Sequence, residues 1–280
     1  MSKEHQVLVG LLRKLKADSL VLPTLPEVAM RVQEVVGRDD TSLKDVADII
    51  GQDPAISARI IRVANSAIYS RGIPAATVNA AISRIGLGQI KTIVTSIAME
   101  QLFISTNELV WEVMDEVWRT SIDVTSAAVA LLQLYNRKHP NSGLNADTLT
   151  LAGLVHNIGA LPVLTEVEAH PELVDDVEQL RLLVRKLQGP IGRAVLKNWA
   201  FSPSVMEVVE RWADLSYNSD TVGYLDFIRA AALYTGELRS GSELDERLAV
   251  FSAKGLPVSP EGLAGEGFLD TYHSIKASYE

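Results

Sequence analysis

The sequence predicts an all-α protein made of two packed helical blocks. Three observations lead there. Apolar residues recur at helical spacing through most of the chain. Period-two alternation is scarce, and aromatic residues make up only 6% of the sequence, so the usual composition of a sheet is missing. Residues that start and stop helices fall between the periodic runs.

The elements follow in order. Residues 1–21 form an N-terminal helix ahead of the first block. "SLKDVADIIG" puts Leu43, Val46, Ala47 and Ile50 on one face, with Gly51 as its stop. Asp53 before Pro54 has the pattern of an N-cap followed by proline in the first turn. The helix it opens is apolar at Ile56, Ile60, Val63 and Ala64. "TVNAAISRIG" and "GQIKTIVTSIAMEQLF" continue the pattern, separated by Gly86 and Gly88. The character changes near Asn107, so the blocks span about 22–106 and 107–215, joined near residues 104–110.

A long amphipathic helix is predicted from about Trp111 to Tyr135, and "NRKHPNSGLN" is a polar loop. "LAGLVHNIG" reads as one continuous helix, and the charged stretch from Glu166 to Lys186 as a surface helix. "SPSVMEVVERW" restarts a helix with Ser202 as its cap. Residues 216–280 form a helical extension in which "AKGLPVSPEGLAGEG" is loop-like and "FLDTYHSIKASYE" is helical.

Composition sets limits. A chain of 280 residues can bury a core of ordinary size. The first residues lack the long apolar block of a signal peptide, and no run of eighteen or more apolar residues suggests a membrane span. There are no cysteines, which rules out disulfides and thiolate metal sites and suits a cytoplasmic setting. A net charge of −9 argues against broad nonspecific nucleic-acid binding.

The chemistry centres on His156 and Asn157, side by side in an apolar segment. On a helical wheel Leu151, Leu154, Val155 and Ile158 share one face. Ala152, Gly153, His156, Asn157 and Ala160 share the other. A helix that is apolar or small all round is buried, so the polar pair points to the interior or a cleft and needs partners. Taken alone, His156 reads as a satisfied core histidine.

Several segments together widen that reading. "LPTLPEVAMRV", "DPAISARIIRVANSAIY" and "AISRIGLGQI" come first. "VWRTS", "LAGLVHNIGAL" and "IGRAVLKNWAFSPSV" follow in order. From Leu22 to about Leu215 the chain therefore resembles the HDOD family, a branch of the HD phosphohydrolase superfamily common in bacterial signalling. The resemblance implies an HD-like helical bundle. Active HD enzymes hold divalent cations with several His and Asp side chains around a His-Asp doublet. In this chain His156 is kept, but Asn157 stands at the aspartate position. Thr120 and Gln188 fall at the upstream and downstream histidine positions, and Arg211 and Trp212 at the later ones. Ala160 replaces the family's basic residue. Hard divalent cations need anionic oxygens, so no metal centre and no cofactor are expected. Thr120, His156, Asn157 and Gln188 are the candidate vestigial cleft.

Asn65, Ser66 and Tyr69 form a second cluster. Either Asn65 and Ser66 hydrogen-bond backbone at a helix end, or the three line a cleft or partner surface between the blocks. The helix pair around Gly51 also carries Arg59, Arg62 and Arg71, which a helix-turn-helix regulator could use on phosphates. Asp45, Asp48 and Asp53 offset those charges. The four tryptophans, irregularly spaced, read as packing.

The reading expected from sequence is a non-catalytic regulatory module in a bacterial cytoplasm. Its partners would be signalling proteins or a small ligand, without nucleic acid or membrane. A metal-dependent phosphohydrolase with an altered site is the alternative, and a helix-turn-helix transcription regulator a third.

Overall fold

The computed structural model describes residues 3–17, 19–38, 40–66, 69, 72–238, 244–277 and 279. Among them there is no strand. The first helices are α1 (Lys3–Lys16), α2 (Glu27–Val36), α3 (Leu43–Ile50), α4 (Pro54–Ala64), α5 (Val78–Ile85) and α6 (Leu87–Glu100). The long α7 (Glu108–Lys138) follows, then α8 (Ala146–Val155), α9 (Ala160–Ala169), a 3-10 turn (Pro171–Leu173), α10 (Val177–Asn198) and α11 (Pro203–Arg211). The chain ends in α12 (Tyr224–Tyr234), α13 (Leu244–Ala253), α14 (Pro260–Ala264) and α15 (Glu266–Ala277).

Helix starts obey local chemistry. Ser42 and Asp45 form a capping box on α3. Asp53 accepts from the amides of Ala55 and Ile56, with Pro54 in the first turn of α4. Asn107, Asn145 and Asp176 cap α7, α8 and α10 in the same way. Ser202 stands at the cap position of α11, but its hydroxyl faces Ser204 Oγ at 3.1 Å and caps nothing. Gly86 alone divides α5 from α6, and Gly88 lies inside α6.

Two apolar clusters hold the chain together. The smaller is built from Val32, Ile50, Ile56, Ile60, Ile82, Ile90 and their neighbours. The larger surrounds α7, whose Ala127, Ala128, Leu131 and Leu132 are fully buried. The division differs from the sequence boundary near residue 106. α2 gives Val32 to the smaller cluster and Ala29 to the larger, and α6 gives Ile90 and Val94 to one and Ala98 and Met99 to the other. An amphipathic helix with a wide apolar stripe can serve two neighbours at once, and no linear boundary records that. Residues beyond 215 also enter the larger core: Phe227, Ile228, Phe251 and Phe268 are buried in it. α12 and α15 pack along α7.

Three sequence readings need correction. "LAGLVHNIG" is not one helix, because α8 stops at Val155 and a turn at 156–159 precedes α9. The stretch from Glu166 to Lys186 is no surface helix. It contains the end of α9, the 3-10 turn and the start of α10, whose Leu180, Leu183 and Val184 are buried. "AKGLPVSPEGLAGEG" is not all loop, since it holds the short α14, started by Ser259 and Pro260. The combined stretch Ala146–Ala169 is long and apolar enough, by length and composition, to cross a membrane. In this fold it is broken by the turn and mostly buried among the other helices.

Two glycines set the spacing around that turn. Gly153 on α8 faces Thr125 of α7, and a Cβ there would overlap the threonine side chain. Gly159 abuts α10, where a Cβ would overlap the Gln188 carbonyl and sit 2.6 Å from the Gly192 amide nitrogen. Both clashes involve backbone, which yields little. Gly159→Ala is therefore expected to destabilise the protein by about 3 kcal/mol, the upper range for overpacking a core. Gly88→Ala meets nothing within 4 Å and should stabilise α6 by up to about 1 kcal/mol. Urea denaturation of both variants checks this pair.

Candidate functional site

α8 ends because its last turn tightens. His156 donates its amide to the Gly153 carbonyl at 3.4 Å, and the Ile158 amide reaches Val155 O at 2.9 Å. The Ala160 amide, bonded to Asn157 O at 2.9 Å, starts α9. The imidazole folds back on the same turn, with Nδ1 on the Gly153 carbonyl oxygen. A carbonyl only accepts, so Nδ1 carries the hydrogen and Nε2 presents a lone pair.

His156 is wholly buried, and its Nε2 has no partner. The ring meets Trp212 edge to face, centroids 4.7 Å apart. Burial disfavours the imidazolium and lowers the His156 pKa to about 4, against a smaller upward pull from the Gly153 carbonyl. The ring is neutral at physiological pH. Asn157 and Trp212 are 2% exposed, and Asn157 Oδ1 and Trp212 Nε1 also lack partners.

Asn157 and Trp212 lie on a cleft of about 490 Å³. One wall is a face of α7 carrying Val113, Val117 and Thr120, and the other is a face of α10 carrying Arg181, Val184, Arg185 and Gln188. Residues 236–238 complete the rim. Thr120, Asn157 and Gln188, three of the four residues marked from sequence, thus meet in one cavity, and His156 sits beneath it against Trp212.

The charges lie toward the mouth. Arg181 is held by Glu112, Glu116 and Glu178 at 2.9, 2.7 and 2.6 Å. Its hydrogen bond to the Glu116 carboxylate contributes most to raising its pKa. That network fixes α10 against α7 and leaves Arg181 little charge to offer a ligand. Arg185 is exposed on the rim.

Trp212 is positioned from behind. Buried Arg229 on α12 donates to the carbonyls of Arg211 at 2.8 Å, Asp214 and Tyr217, clamping the segment that carries Trp212. Arg211 turns away to Tyr217, its guanidinium carbon 4.6 Å from the ring centroid. Trp212, read from sequence as packing, also lines the cleft. Arg181 and Arg185 were missed there too, although their spacing with Gln188 marks a polar stripe on one face of α10.

The second cluster lies elsewhere. Asn65 exchanges bonds with Ala75 backbone, donating from Nδ2 at 2.9 Å and accepting at Oδ1 at 2.7 Å, and also accepts from Arg84. Ser66 Oγ donates to Val63 O at 2.7 Å. Both do the structural work of a helix end. Tyr69 lines a different, small cavity with Asp147, Thr150 and Tyr279. Arg59 is tied to Glu100 and to the Tyr279 carbonyl, which removes it from the phosphate-binding role weighed from sequence. Arg71 lies outside the described residues.

Comparison with known proteins agrees with the fold. The HDOD domain profile matches residues 22–214. The chain is 77% identical to a provisionally named metal-dependent phosphohydrolase from Shewanella amazonensis SB2B over the full length of both, with a TM-score of 0.96 between the structures. A provisionally named signal transduction protein from Marinobacter aquaeolei VT8 shares the fold at 20% identity and a TM-score of 0.61, covering 98% of this chain and 64% of that one. An uncharacterised protein of Treponema pallidum (strain Nichols) is 24% identical over 57% of this chain, and the match spans only 29% of that relative's length. This all-α chain belongs to the HDOD family.

The neutral, buried His156 has a measurable consequence. Its folded pKa lies below the unfolded value of about 6.5, so the unfolded chain takes up this proton first as pH falls. The contribution is complete above about pH 6.5, is lost between there and about pH 4, and levels off below. Lowering an imidazole pKa from 6.5 to about 4 corresponds to on the order of 3 kcal/mol. Denaturation of wild type and His156→Leu across this window should show the wild type losing that much more than the variant.

Proposed function

We propose that this chain is a non-catalytic regulatory module of bacterial signal transduction, acting in the cytoplasm through protein partners or a small ligand in the cleft. The observation that supports it most is the donor set around His156. An HD-type metal centre needs carboxylates and several imidazoles. Here the positions hold Thr120, Asn157 and Gln188, all uncharged, beside one buried imidazole. Among the described residues, no three His, Cys, Asp or Glu side chains cluster in a way that could hold a metal ion. These residues do not fit the metal of the superfamily. Without a bound cation there is no low-pKa water and no Lewis acid on a phosphoryl oxygen.

A second reading, a metal-dependent phosphohydrolase, rests on the provisional name of the 77% identical Shewanella amazonensis protein. Hydrolysis assays with cyclic dinucleotides and generic phosphodiesters in Mn²⁺ or Mg²⁺ separate the two. The expected result is no turnover above background. Turnover that disappears in His156→Ala would replace the first reading with the second.

Asn157→Asp restores the doublet and sharpens the comparison. With Thr120 and Gln188 unchanged, the new carboxylate gains no cation, and burial raises its pKa. Its penalty is absent at low pH, grows as pH rises above the unfolded value of about 4, and levels off above the folded pKa. The expected loss at neutral pH is about 1–3 kcal/mol, unrelieved by Mn²⁺. Thermal melts at pH 5 and pH 8, with and without Mn²⁺, measure it. A variant stabilised by Mn²⁺ at pH 8 would contradict the proposal.

A further inference from the structure

The cleft that lacks metal ligands is not an inert remnant. Its floor has unpartnered polar atoms, and their donor and acceptor characters are specific. Trp212 Nε1 can only donate. Asn157 Oδ1 can only accept, and beneath it His156 Nε2 presents a lone pair because Nδ1 serves the Gly153 carbonyl. All three side chains are at least nine-tenths buried, and Asn157 and Trp212 both line the cavity. Thr120 and Gln188 stand on the two walls with polar side chains toward the same cavity. Buried polar groups left unpaired are costly, and a native fold retains so many together where something fills the need.

The set asks for a group that gives two hydrogens and takes one. A carboxylate gives none. A hydroxyl gives one. An ammonium gives hydrogens but takes none, so Trp212 Nε1 would stay unpaired. A primary carboxamide gives two from nitrogen and accepts one at oxygen. Val113, Val117 and Val184 supply apolar walls for the body of such a molecule. A cavity of about 490 Å³ is ample for an aromatic amide.

We propose that the cleft between α7 and α10 binds small uncharged carboxamides, with the amide group placed on Asn157 and Trp212 above His156. This rests on the reading that the cleft holds no metal, and the two can fail separately.

The test uses the full chain and matched pairs of probes: benzamide against benzoate, and nicotinamide against nicotinate, with glycerol as the hydroxyl control. The amides should raise Tm in a saturable way, with affinities on the order of millimolar, the range open to ligands of about ten heavy atoms. Their acids should bind at least about tenfold more weakly, because a carboxylate has no hydrogen for Asn157 Oδ1 or His156 Nε2. In wild-type protein the Trp212 indole N–H resonance, assigned from its loss in Trp212→Phe, should move on titration with benzamide. Asn157→Leu should abolish the thermal response, and the indole resonance tests the site even if that variant does not fold. No shift from either amide, equal shifts from the acids or from glycerol, or a response that survives Asn157→Leu would each overturn the proposal. A buried water as sole occupant would give the first of these outcomes. Stabilisation by Mn²⁺ alone would overturn the earlier reading whether or not amides bind. Silence from both Mn²⁺ and the amides would overturn only this one.

Discussion

The architecture of the site depends on one close contact, where the turn at 156–159 meets α10 with no side chain between. Gly159 lies against the Gln188 carbonyl and the Gly192 amide, and Gly192 in turn leaves room for Val209. Helix axes usually stand 8–10 Å apart because side chains separate them. Where glycine removes that spacer, two backbones can touch, and the residues beside the contact are fixed closely. Asn157 and Gln188 flank it, so the cleft floor is set by backbone packing. Gly153 against Thr125 does the same on the α7 side.

Polar groups in this core are mostly satisfied locally. Ser121, Thr125 and Ser126 return their hydroxyls to carbonyls one turn earlier on α7, at 2.9, 2.6 and 2.7 Å. Asp226 pairs with Lys254 at 2.7 Å and caps α12 through the Gly223 amide. Arg229 donates from its two terminal nitrogens to three carbonyls around Trp212, while its Nε has no partner. Against that background the unpaired atoms of His156, Asn157 and Trp212 stand apart because they cluster at one cavity. The C-terminal helices belong to the same construction. α12 supplies Arg229, and α15 packs on α7.

Sequence made much of this legible where the determinants are local. The cap at Asp53, the apolar faces of α3 and α4 and the ordered motifs from Leu22 onward all appear as short-range patterns. Thr120, Asn157 and Gln188 could be named before any coordinates because the family resemblance aligned them, and they do share a cleft. What stayed hidden was long-range. A helical wheel cannot show that α8 ends at Val155, since Val155, Ile158 and Leu161 keep helical spacing across the break. The closeness of Gly159 to α10 depends on residues about thirty positions away. Trp212 looked like packing because its second role requires knowing that its ring meets His156. The stretch before Lys186 looked exposed because its charges outnumber its leucines, whereas burial follows only the face turned inward.

The central claim is that His156 is a neutral core imidazole with its hydrogen on Nδ1, organised by protein packing and not by a metal. Nitrogen-15 NMR of imidazole-labelled protein, with and without Zn²⁺ between pH 5.5 and pH 8, tests it most directly. The expected result is a protonated Nδ1 and a bare Nε2 for His156, unchanged by Zn²⁺ and by pH across that range. A His156 that titrates near pH 6.5, or an Nε2 resonance that moves on stoichiometric Zn²⁺ binding, would contradict it.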